Sequence, residues 1–299
     1  MPALRRTGAR ARKSVKSTTV IALVAAILLG ATGCERTDRS APAAARPRVI
    51  TLTPSASEIV AALGATDLLV GVDNYTTFPP ETAALPRVGS FLTPDVEAIL
   101  RLRPTLVVLD DIHAPTAKQL HDLGVATVDC PMHALEDVRA ALTRVGERLG
   151  RAETARAVVA EIDRAVDEVG SRRHPERPRV LAVIDRAGGL SNLVAAGPGS
   201  WLDELLALVG AKNVLAGAPT RYPKLSIEEI LRAAPDVIVD VSFGADPARA
   251  AEDWAPAARV PAVAHGRIAI VKAPYFIAPS PRIAQALAEL EPIVYPAAP

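Results

Sequence analysis

The apolar and polar positions between residues 152 and 173 follow the period of a helix. Apolar residues recur at steps of three and four, and charged residues fill the positions between them. The apolar positions are Ala155, Val158, Val159, Ile162, Ala165, Val166 and Val169. This pattern predicts one amphipathic helix about 33 Å long, which is the width of a small domain. It is either a surface helix within one domain or a connection that runs across two lobes.

Short β-branched runs alternate with helical segments on both sides of this helix. Strands are predicted at 48–53, 68–72, 106–109, 126–128 and 179–184, and helices at 58–63, 96–102, 116–123, 135–149 and 201–208. The first of these helices is expected to begin at a capping box formed by Ser55 and Glu58. Strands that alternate with helices predict doubly wound α/β lobes with mainly parallel sheets.

An internal repeat favours two lobes over one. Residues 227–239 match the pattern of residues 96–108 at a constant offset of 131, including the proline before the strand. We therefore predict an N-terminal lobe at 49–134, a helix pair at 135–174 that includes the interlobe helix 152–173, and a C-terminal lobe at 175–296. The ligand cleft is expected between the lobes. A helical connection should permit only small opening motions.

The N-terminus has the composition of an export signal. Basic residues without any acid precede the apolar run 20–29, which is too short for a comfortable membrane span and ends before Cys34. The segment around Cys34 resembles a bacterial lipobox, with Ala31 where leucine is usual. We predict a lipoprotein signal peptide at 1–33, lipidation of Cys34 and a flexible tether at 34–47. A plain signal peptide or an uncleaved anchor helix is the alternative.

The charge and the cysteine content of the mature chain bear on its partners, its disulfides and its location. Cleavage removes six of the chain's 34 basic residues and none of its 33 acidic ones, which leaves a net charge of −5. Nucleic acid is therefore an unfavourable partner. Only Cys130 remains besides Cys34, so an exported chain would have no internal disulfide. We expect a monomer held by its lipid anchor in the bacterial cell envelope, facing the periplasm.

The sequence lacks the motifs of common enzymes and metal sites. It contains no Gly-x-Ser-x-Gly, Walker or Gly-x-Gly-x-x-Gly motif. An enzyme of the chelatase or nitrogenase-like type would need clustered cysteine or histidine ligands. The five histidines show no metal-ligand spacing, and only His113 and His133 follow strand ends near the expected cleft. We predict a protein that is not an enzyme and has no metal site or intrinsic cofactor.

Several short motifs, taken in order, resemble one family over residues 48–296. They are Thr53-Pro54-Ser55 with Glu58, Leu63-Gly64-Ala65, Val70-Gly71-Val72, Pro86-Arg87-Val88-Gly89, Glu97 before Pro104, Gly210-Ala211-Lys212-Asn213-Val214, Ser226 with Glu228 before Pro235-Asp236, and Ser280-Pro281-Arg282. The chain resembles the helical-backbone class of substrate-binding lipoproteins of bacterial ABC importers, which includes vitamin B12-, iron-siderophore- and haem-binding proteins. The resemblance implies a ligand in the interlobe cleft and an ABC permease and ATPase as partners.

The resemblance also implies roles for particular residues. Glu97 and Glu228, which are equivalent under the repeat, correspond to the glutamates that dock into arginine pockets of the permease. Both can also be ordinary first-turn residues, which the helix dipole favours. A ligand sensor coupled to a membrane kinase instead of a permease is the alternative from another class.

The ligand-contacting loops look most like those of the vitamin B12-binding members. On that likeness the ligand-binding residues are Tyr75, Phe91, Trp201, Tyr222, Tyr275 and Arg282. Two of them, Phe91 and Tyr222, stand where those members have tryptophan, and Pro274 replaces an acidic residue. We expect cobalamin as the transported ligand, with haem or a ferric siderophore as the alternative, and about a tenfold weaker affinity for Tyr222→Ala. Trp201 can instead pack within its lobe, and Arg282 can form a structural salt bridge.

Overall fold

The strands of this protein pair into two sheets. A computed structural model describes residues 46–186, 190–242 and 244–296 of the chain. We call residues 46–134 the N-terminal lobe and residues 175–296 the C-terminal lobe. The predicted signal peptide, Cys34 and nearly all of the predicted tether lie outside the described residues. Within these ranges, no helix combines the length and the apolar character that crossing a bilayer requires.

The N-terminal lobe is a parallel sheet with helices on both faces. Its strands pair in the order β2-β1-β3-β4, and all three pairings are parallel. The elements are β1 Val49–Thr51, α1 Pro54–Ala62, β2 Leu69–Val72, α2 Val96–Arg101, β3 Leu106–Leu109, α3 Ala114–Asp122 and β4 Thr127–Asp129. Helix α4, Leu135–Arg148, then leads into α5, Ala152–Ser171.

The C-terminal lobe has a mixed sheet. Its order is β10-β9-β5-β6-β8, and β7 also pairs with β5. The elements are β5 Arg179–Asp185, β6 Leu193–Ala195, α6 Trp201–Leu208, β7 Lys212–Asn213, β8 Lys224–Leu225, α7 Ile227–Ala233, β9 Val237–Asp240, α8 Ala250–Trp254, α9 Pro261–Ala264, β10 Ile268–Ile270 and α10 Ile283–Val294. Strand β6 runs antiparallel to both β5 and β8. Only residues 186–192 join β5 to β6, too few for the crossover that a parallel neighbour needs.

Alternating strand residues contribute their side chains to three apolar clusters. In β1, Val49 belongs to a cluster that includes residues of both lobes, whereas Ile50 faces a second cluster within the N-terminal lobe. In β5, Leu181 faces a third cluster within the C-terminal lobe. Each sheet is therefore covered on both faces, as buried parallel strands require. The predicted α/β class with two mainly parallel sheets is confirmed.

Helix α5 packs its apolar stripe into the cluster that the two lobes share. Ala155, Ile162 and Val169 are buried at intervals of seven residues, which places them on one face. The helix packs against α4 and α10, and so contacts elements from both halves of the chain. The predicted helix at 152–173 thus exists and ends two residues earlier, at Ser171.

The 131-residue repeat is visible in backbone detail. Arg103 and Ala234 occupy equivalent positions, and both have left-handed backbone angles, with φ of 45° and 42°. Each precedes a proline, which disfavours the right-handed helical conformation. Arg48 donates to the carbonyl oxygen of Leu102 at 2.7 Å, and its equivalent Arg179 donates to that of Ala233 at 2.7 Å. In both lobes, therefore, an arginine at the start of the first strand binds the carbonyl end of the repeated helix.

The first helix begins earlier than its sequence indicates. Helix α1 starts at Pro54, and Thr53 is its N-cap, with its side-chain oxygen accepting from the backbone nitrogen of Ala56 at 3.0 Å. The predicted capping box of Ser55 and Glu58 is therefore wrong. Proline at the first helical position fixes the start of the helix. Glu58 therefore does not cap the helix, and its side chain contacts the other lobe.

Candidate functional site

A cavity of about 360 Å³ lies where the strands of the N-terminal lobe end and the C-terminal lobe begins to cover them. Its wall is formed by Thr53, Pro54, Ser55, Tyr75, Phe91, Asp110, Met132, Ile277 and Ala278. Residues after β1, β2, β3 and β4 all contribute, because the carboxyl ends of parallel strands share one edge of the sheet. The wall is predominantly apolar, and its ionisable groups are Tyr75 and the carboxyl group of Asp110. Two of the predicted ligand-binding residues, Tyr75 and Phe91, meet here.

A buried polar network holds the loop that carries Tyr75. The Asp73 carboxylate accepts from the backbone nitrogen of Tyr75 at 2.7 Å and from the hydroxyl of Thr76. Arg87 donates to the carbonyl oxygens of Asp73 and Thr76 at 2.9 and 2.8 Å. Burial raises the pKa of Asp73. The backbone is thus fixed while the Tyr75 side chain remains 63% exposed, free to contact a ligand.

Asp73 was not among the predicted site residues. The signal available in the sequence was an aspartate directly after a strand and two residues before an aromatic, the usual position of a loop-stabilising Asx turn.

His113 positions Phe91. Its Nδ1 accepts from the backbone nitrogen of Asp110 at 3.1 Å, so Nε2 carries the proton and donates to the carbonyl oxygen of Phe91 at 2.7 Å. The two rings meet edge to face, with centroids 5.4 Å apart. His113 is buried and therefore supports the cavity wall from behind. Its predicted place near the cleft is correct, but its role is structural.

Two adjacent carboxylates and a histidine form the polar end of the site. Asp110, Asp111 and His133 each offer a possible metal-ligand atom, and these atoms lie within 4.8 Å of one another. His133 Nε2 and Asp111 Oδ2 are 3.0 Å apart and already form a hydrogen bond. Burial and the neighbouring Asp111 raise the pKa of Asp110 to about 7, whereas hydrogen bonds from Asp110 and His133 lower that of Asp111.

We expect Asp110 to make the wild type more stable at pH 5 than at pH 8. Its pKa is higher in the folded chain than in the unfolded one, so the folded chain binds the extra proton between about pH 4 and 7. Stability should therefore fall by at most about 1.4 kcal/mol per pH unit as pH rises through this window. Asp110→Asn keeps a donor toward Asp111 and removes the buried charge. Its unfolding free energy, measured by urea denaturation, should exceed that of wild type at pH 8.

The control for this prediction is Asp122→Asn, because Asp122 is an exposed partner of Lys118. It should leave the pH dependence of wild type unchanged. If the unfolding free energies of wild type and Asp110→Asn changed with pH in parallel, Asp110 would not be the titrating group.

Arg282, which is predicted to contact the ligand or to form a structural salt bridge, joins the two lobes. Its Nε donates to Glu58 Oε2 at 2.9 Å, and its second nitrogen pairs with the other carboxylate oxygen. The hydroxyl of Ser280 also donates to Glu58. The guanidinium carbon lies 4.2 Å from the Phe78 ring centroid and 4.6 Å from that of Tyr275. Of the two charged side chains, Glu58 is 5% exposed and Arg282 16% exposed.

The remaining predicted aromatics do not lie on the cavity wall. Trp201 is 3% exposed within the core, and its indole nitrogen donates to the carbonyl oxygen of Tyr275 at 2.8 Å. Tyr275 is partly buried beside Arg282, and its hydroxyl donates to Glu289 at 2.8 Å. Trp201 supports the Tyr275 segment from the core, since the first turn of α6 faces inward.

Tyr222 is exposed on a loop of the C-terminal lobe that crosses close to Gly197. Gly197 donates to the carbonyl oxygen of Arg221 at 2.8 Å, and a Cβ atom there would lie 2.4 Å from the oxygen of Thr220. Glycine is therefore required for the loop to approach so closely. The structure does not bring Tyr222 to the cavity.

Glu97 and Glu228 occupy equivalent first turns. Asp95 and Ser226 cap the two helices, and each glutamate follows its cap by two residues. The Glu97 side chain is 89% exposed, with a long 3.8 Å contact to Arg101, and Glu228 is also exposed.

These features are two α/β lobes with a mainly apolar cavity where they meet, which is the usual form of a small-molecule site. Comparison with known proteins agrees. The family model described as periplasmic binding protein matches residues 49–275, and the chain belongs to this family. Its members are extracytoplasmic substrate-binding proteins of ABC importers, so the predictions of that class and of a protein that is not an enzyme are confirmed.

Two proteins of similar sequence and one solved structure illustrate what the chain resembles. The chain is 24% identical to the vitamin B12-binding protein of Vibrio cholerae over 246 residues, which is 81% of this chain and 87% of that protein. It is 25% identical to an uncharacterised ABC transporter substrate-binding lipoprotein of Bacillus subtilis, over 83% of this chain and 80% of that protein. The apo structure of the periplasmic heme-binding protein of Roseiflexus sp. RS-1 superposes with a TM-score of 0.75 and 28% identity, covering 83% of this chain and 98% of that one.

Proposed function

We propose that this protein binds a corrinoid, cobalamin, in the interlobe cavity and delivers it to an ABC permease. The observation that carries the proposal is the composition of the cavity wall. The exposed ring of Tyr75 and the half-buried ring of Phe91 on one lobe line the cavity together with Ile277 from the other, and Ile277 is itself largely exposed. A corrin is a broad disc with apolar faces and uncharged amide arms, so it suits aromatic and aliphatic walls.

The charge of the cavity wall favours a corrinoid over haem and ferric siderophores. Among the described residues, the lining includes no lysine, arginine or histidine. Haem carries two carboxylates, and many siderophores are also anionic. A cationic side chain in the site would therefore stabilise either ligand. The similarity to vitamin B12-binding proteins in sequence supports the same choice.

Haem is the second candidate, and one observation favours it. The phenol of Tyr75 is exposed on the cavity wall and has the chemistry to ligate iron. The structural likeness to a heme-binding protein is consistent with this alternative.

The contribution of Tyr75 tests the corrinoid proposal. Tyr75→Ala should weaken cobalamin binding about tenfold, because a stacked ring contributes on the order of 1 kcal/mol. Tyr75→Phe keeps the ring and should stay within about twofold of wild type. Isothermal titration calorimetry with cyanocobalamin measures both. Equal affinity for the alanine variant and wild type would remove Tyr75 from the site.

We further propose that the mature chain is a monomer anchored through lipid on Cys34, with residues 34–47 as its tether. The similarity to a Bacillus subtilis lipoprotein supports this. Cys34→Ser should move the protein from the membrane fraction to the soluble fraction, because one acylated residue supplies the anchor. Cell fractionation followed by immunoblotting measures this. A wild-type protein that keeps its first 33 residues, with a variant that stays in the membrane, would favour an uncleaved anchor helix instead.

A further inference from the structure

A second cavity, with a volume of about 400 Å³, lies where the end of helix α5 meets the C-terminal lobe. Its wall is formed by Val169, Gly170, Arg172, Arg173, His174, Arg177, Ala207, Leu208, Val209, Gly210 and Tyr295. This wall shares no residue with the wall of the interlobe cavity. The two cavities also differ in charge, because the described residues that line the second one include three arginines and no carboxylate.

Two of these arginines keep their positive charge without an acidic partner. Arg177 uses its Nε to donate to the carbonyl oxygen of Gly210 at 3.0 Å, which leaves its terminal nitrogens available. Within the described part of the chain, neither Arg173 nor Arg177 forms an ion pair. The wall therefore attracts anions, and its unused donors are guanidinium nitrogens.

Buried contacts hold one side of this cavity in shape. Glu291 is buried, pairs with Arg172 and forms a hydrogen bond with His174 at 3.1 Å. Arg172 also pairs with Glu168 at 2.7 Å. The His174 ring stacks on the ring of Tyr295, with centroids 3.6 Å apart and planes within 5° of parallel. These contacts fix the wall, and the two arginines without an acidic partner remain for a ligand.

The hydroxyl of Tyr295 is buried beside this wall and has no hydrogen-bond partner among the described residues. It lies close to Gly210, since a Cβ atom there would be 3.6 Å from the hydroxyl oxygen. Burial raises the pKa of Tyr295, so the hydroxyl keeps its proton at neutral pH. A buried donor without an acceptor is unfavourable. A ligand oxygen that reached it past Arg177 would supply the missing acceptor.

We propose that this cavity binds a small, soluble organic phosphate. A phosphate monoester has three terminal oxygens, one for each of Arg173, Arg177 and Tyr295, whereas one guanidinium group already fills a carboxylate. The side chains of Leu208 and Val209 suit the carbon part of the ligand. The volume is at the lower end of that of small-molecule sites, which excludes the acyl chains of a lipid. The proposal does not depend on the ligand of the interlobe cavity.

Calorimetric titration of the full chain with phenyl phosphate and with inorganic phosphate tests the proposal. Phenyl phosphate should bind at one site per chain and more tightly than inorganic phosphate, because its ring buries apolar surface. Arg173→Gln/Arg177→Gln should weaken the binding of phenyl phosphate at least tenfold. The matched control is Arg148→Gln/Arg164→Gln, which changes two exposed arginines outside the cavity. Its affinity should stay within about twofold of wild type.

Tyr295→Phe separates an effect on binding from an effect on folding. Without ligand, its unfolding free energy in urea denaturation should be no lower than that of wild type, because the lost hydroxyl has no partner. Its affinity for phenyl phosphate should nevertheless fall about fivefold. Unchanged affinity for this variant would contradict the proposed contact with the hydroxyl.

Three other outcomes would overturn the proposal. The first is the absence of saturable binding of phenyl phosphate, or binding no tighter than that of inorganic phosphate. The second is equal affinity for phenyl phosphate in wild type and Arg173→Gln/Arg177→Gln. The third is binding to mixed micelles that contain phosphatidic acid without binding of phenyl phosphate, which would assign the two arginines to a membrane surface.

Cyanocobalamin distinguishes this site from the interlobe cavity. Arg173→Gln/Arg177→Gln should bind it as wild type does, and phenyl phosphate should not compete with it. Competition between the two would place phenyl phosphate in the interlobe cavity and overturn the proposal. If cyanocobalamin did not bind at all, the corrinoid assignment would fail, and the expected results with phenyl phosphate would still support the second site.

Discussion

A variant in which Glu97 and Glu228 are both alanine should bind ligand as tightly as wild type and deliver none of it. Both side chains are exposed in equivalent first turns, and neither lies on the cavity wall. Exposed carboxylates can pair with arginines of a permease by charge-assisted hydrogen bonds. The loss of both pairs should abolish docking. Uptake of labelled cobalamin by cells that carry only the variant, together with calorimetry on the purified protein, measures the two properties.

Glu136→Ala/Glu153→Ala is the matched control. Both control residues are exposed first-turn glutamates with a nearby arginine, on α4 and α5. Uptake should be unaffected in this variant. Normal uptake by the Glu97/Glu228 variant would mean that the two glutamates are ordinary first-turn residues.

Arg282→Ala should cost about 3–5 kcal/mol of unfolding free energy, because it leaves Glu58 buried and unpaired. Urea denaturation measures this loss. Arg101→Ala removes the exposed partner of Glu97 and should cost less than about 1 kcal/mol. A loss below about 1 kcal/mol for Arg282→Ala would mean that water reaches Glu58 and that the pair does not hold the lobes together.

The sequence predicted those features that local periodicity determines. Helix α5 begins at the predicted residue, and strands β3 and β9 start at positions related by the 131-residue offset. The equivalence of Glu97 and Glu228 follows from the same offset. Tyr75 and Phe91 could be placed in the cleft because each follows a strand or turn, where the edges of parallel strands meet.

Contacts between distant parts of the chain were not predictable in the same way. Glu58 and Arg282 are 224 residues apart, so no local pattern reveals that they pair. Trp201 fits a cap and a first helical turn equally well whether it faces the cleft or the core, and only packing places it in the core. His133 approaches Asp110 and Asp111 through the ends of two strands, which sequence spacing does not reveal. The expected contact of Tyr222 with ligand remains a prediction.

Calorimetric titration of the full chain with cyanocobalamin, haem and a ferric hydroxamate shows directly which of these ligands the protein binds. We expect saturable binding of cyanocobalamin, tighter than that of either iron chelate, with one ligand per chain. Tight binding of haem or the hydroxamate with no heat or spectral change on adding cyanocobalamin would contradict this expectation.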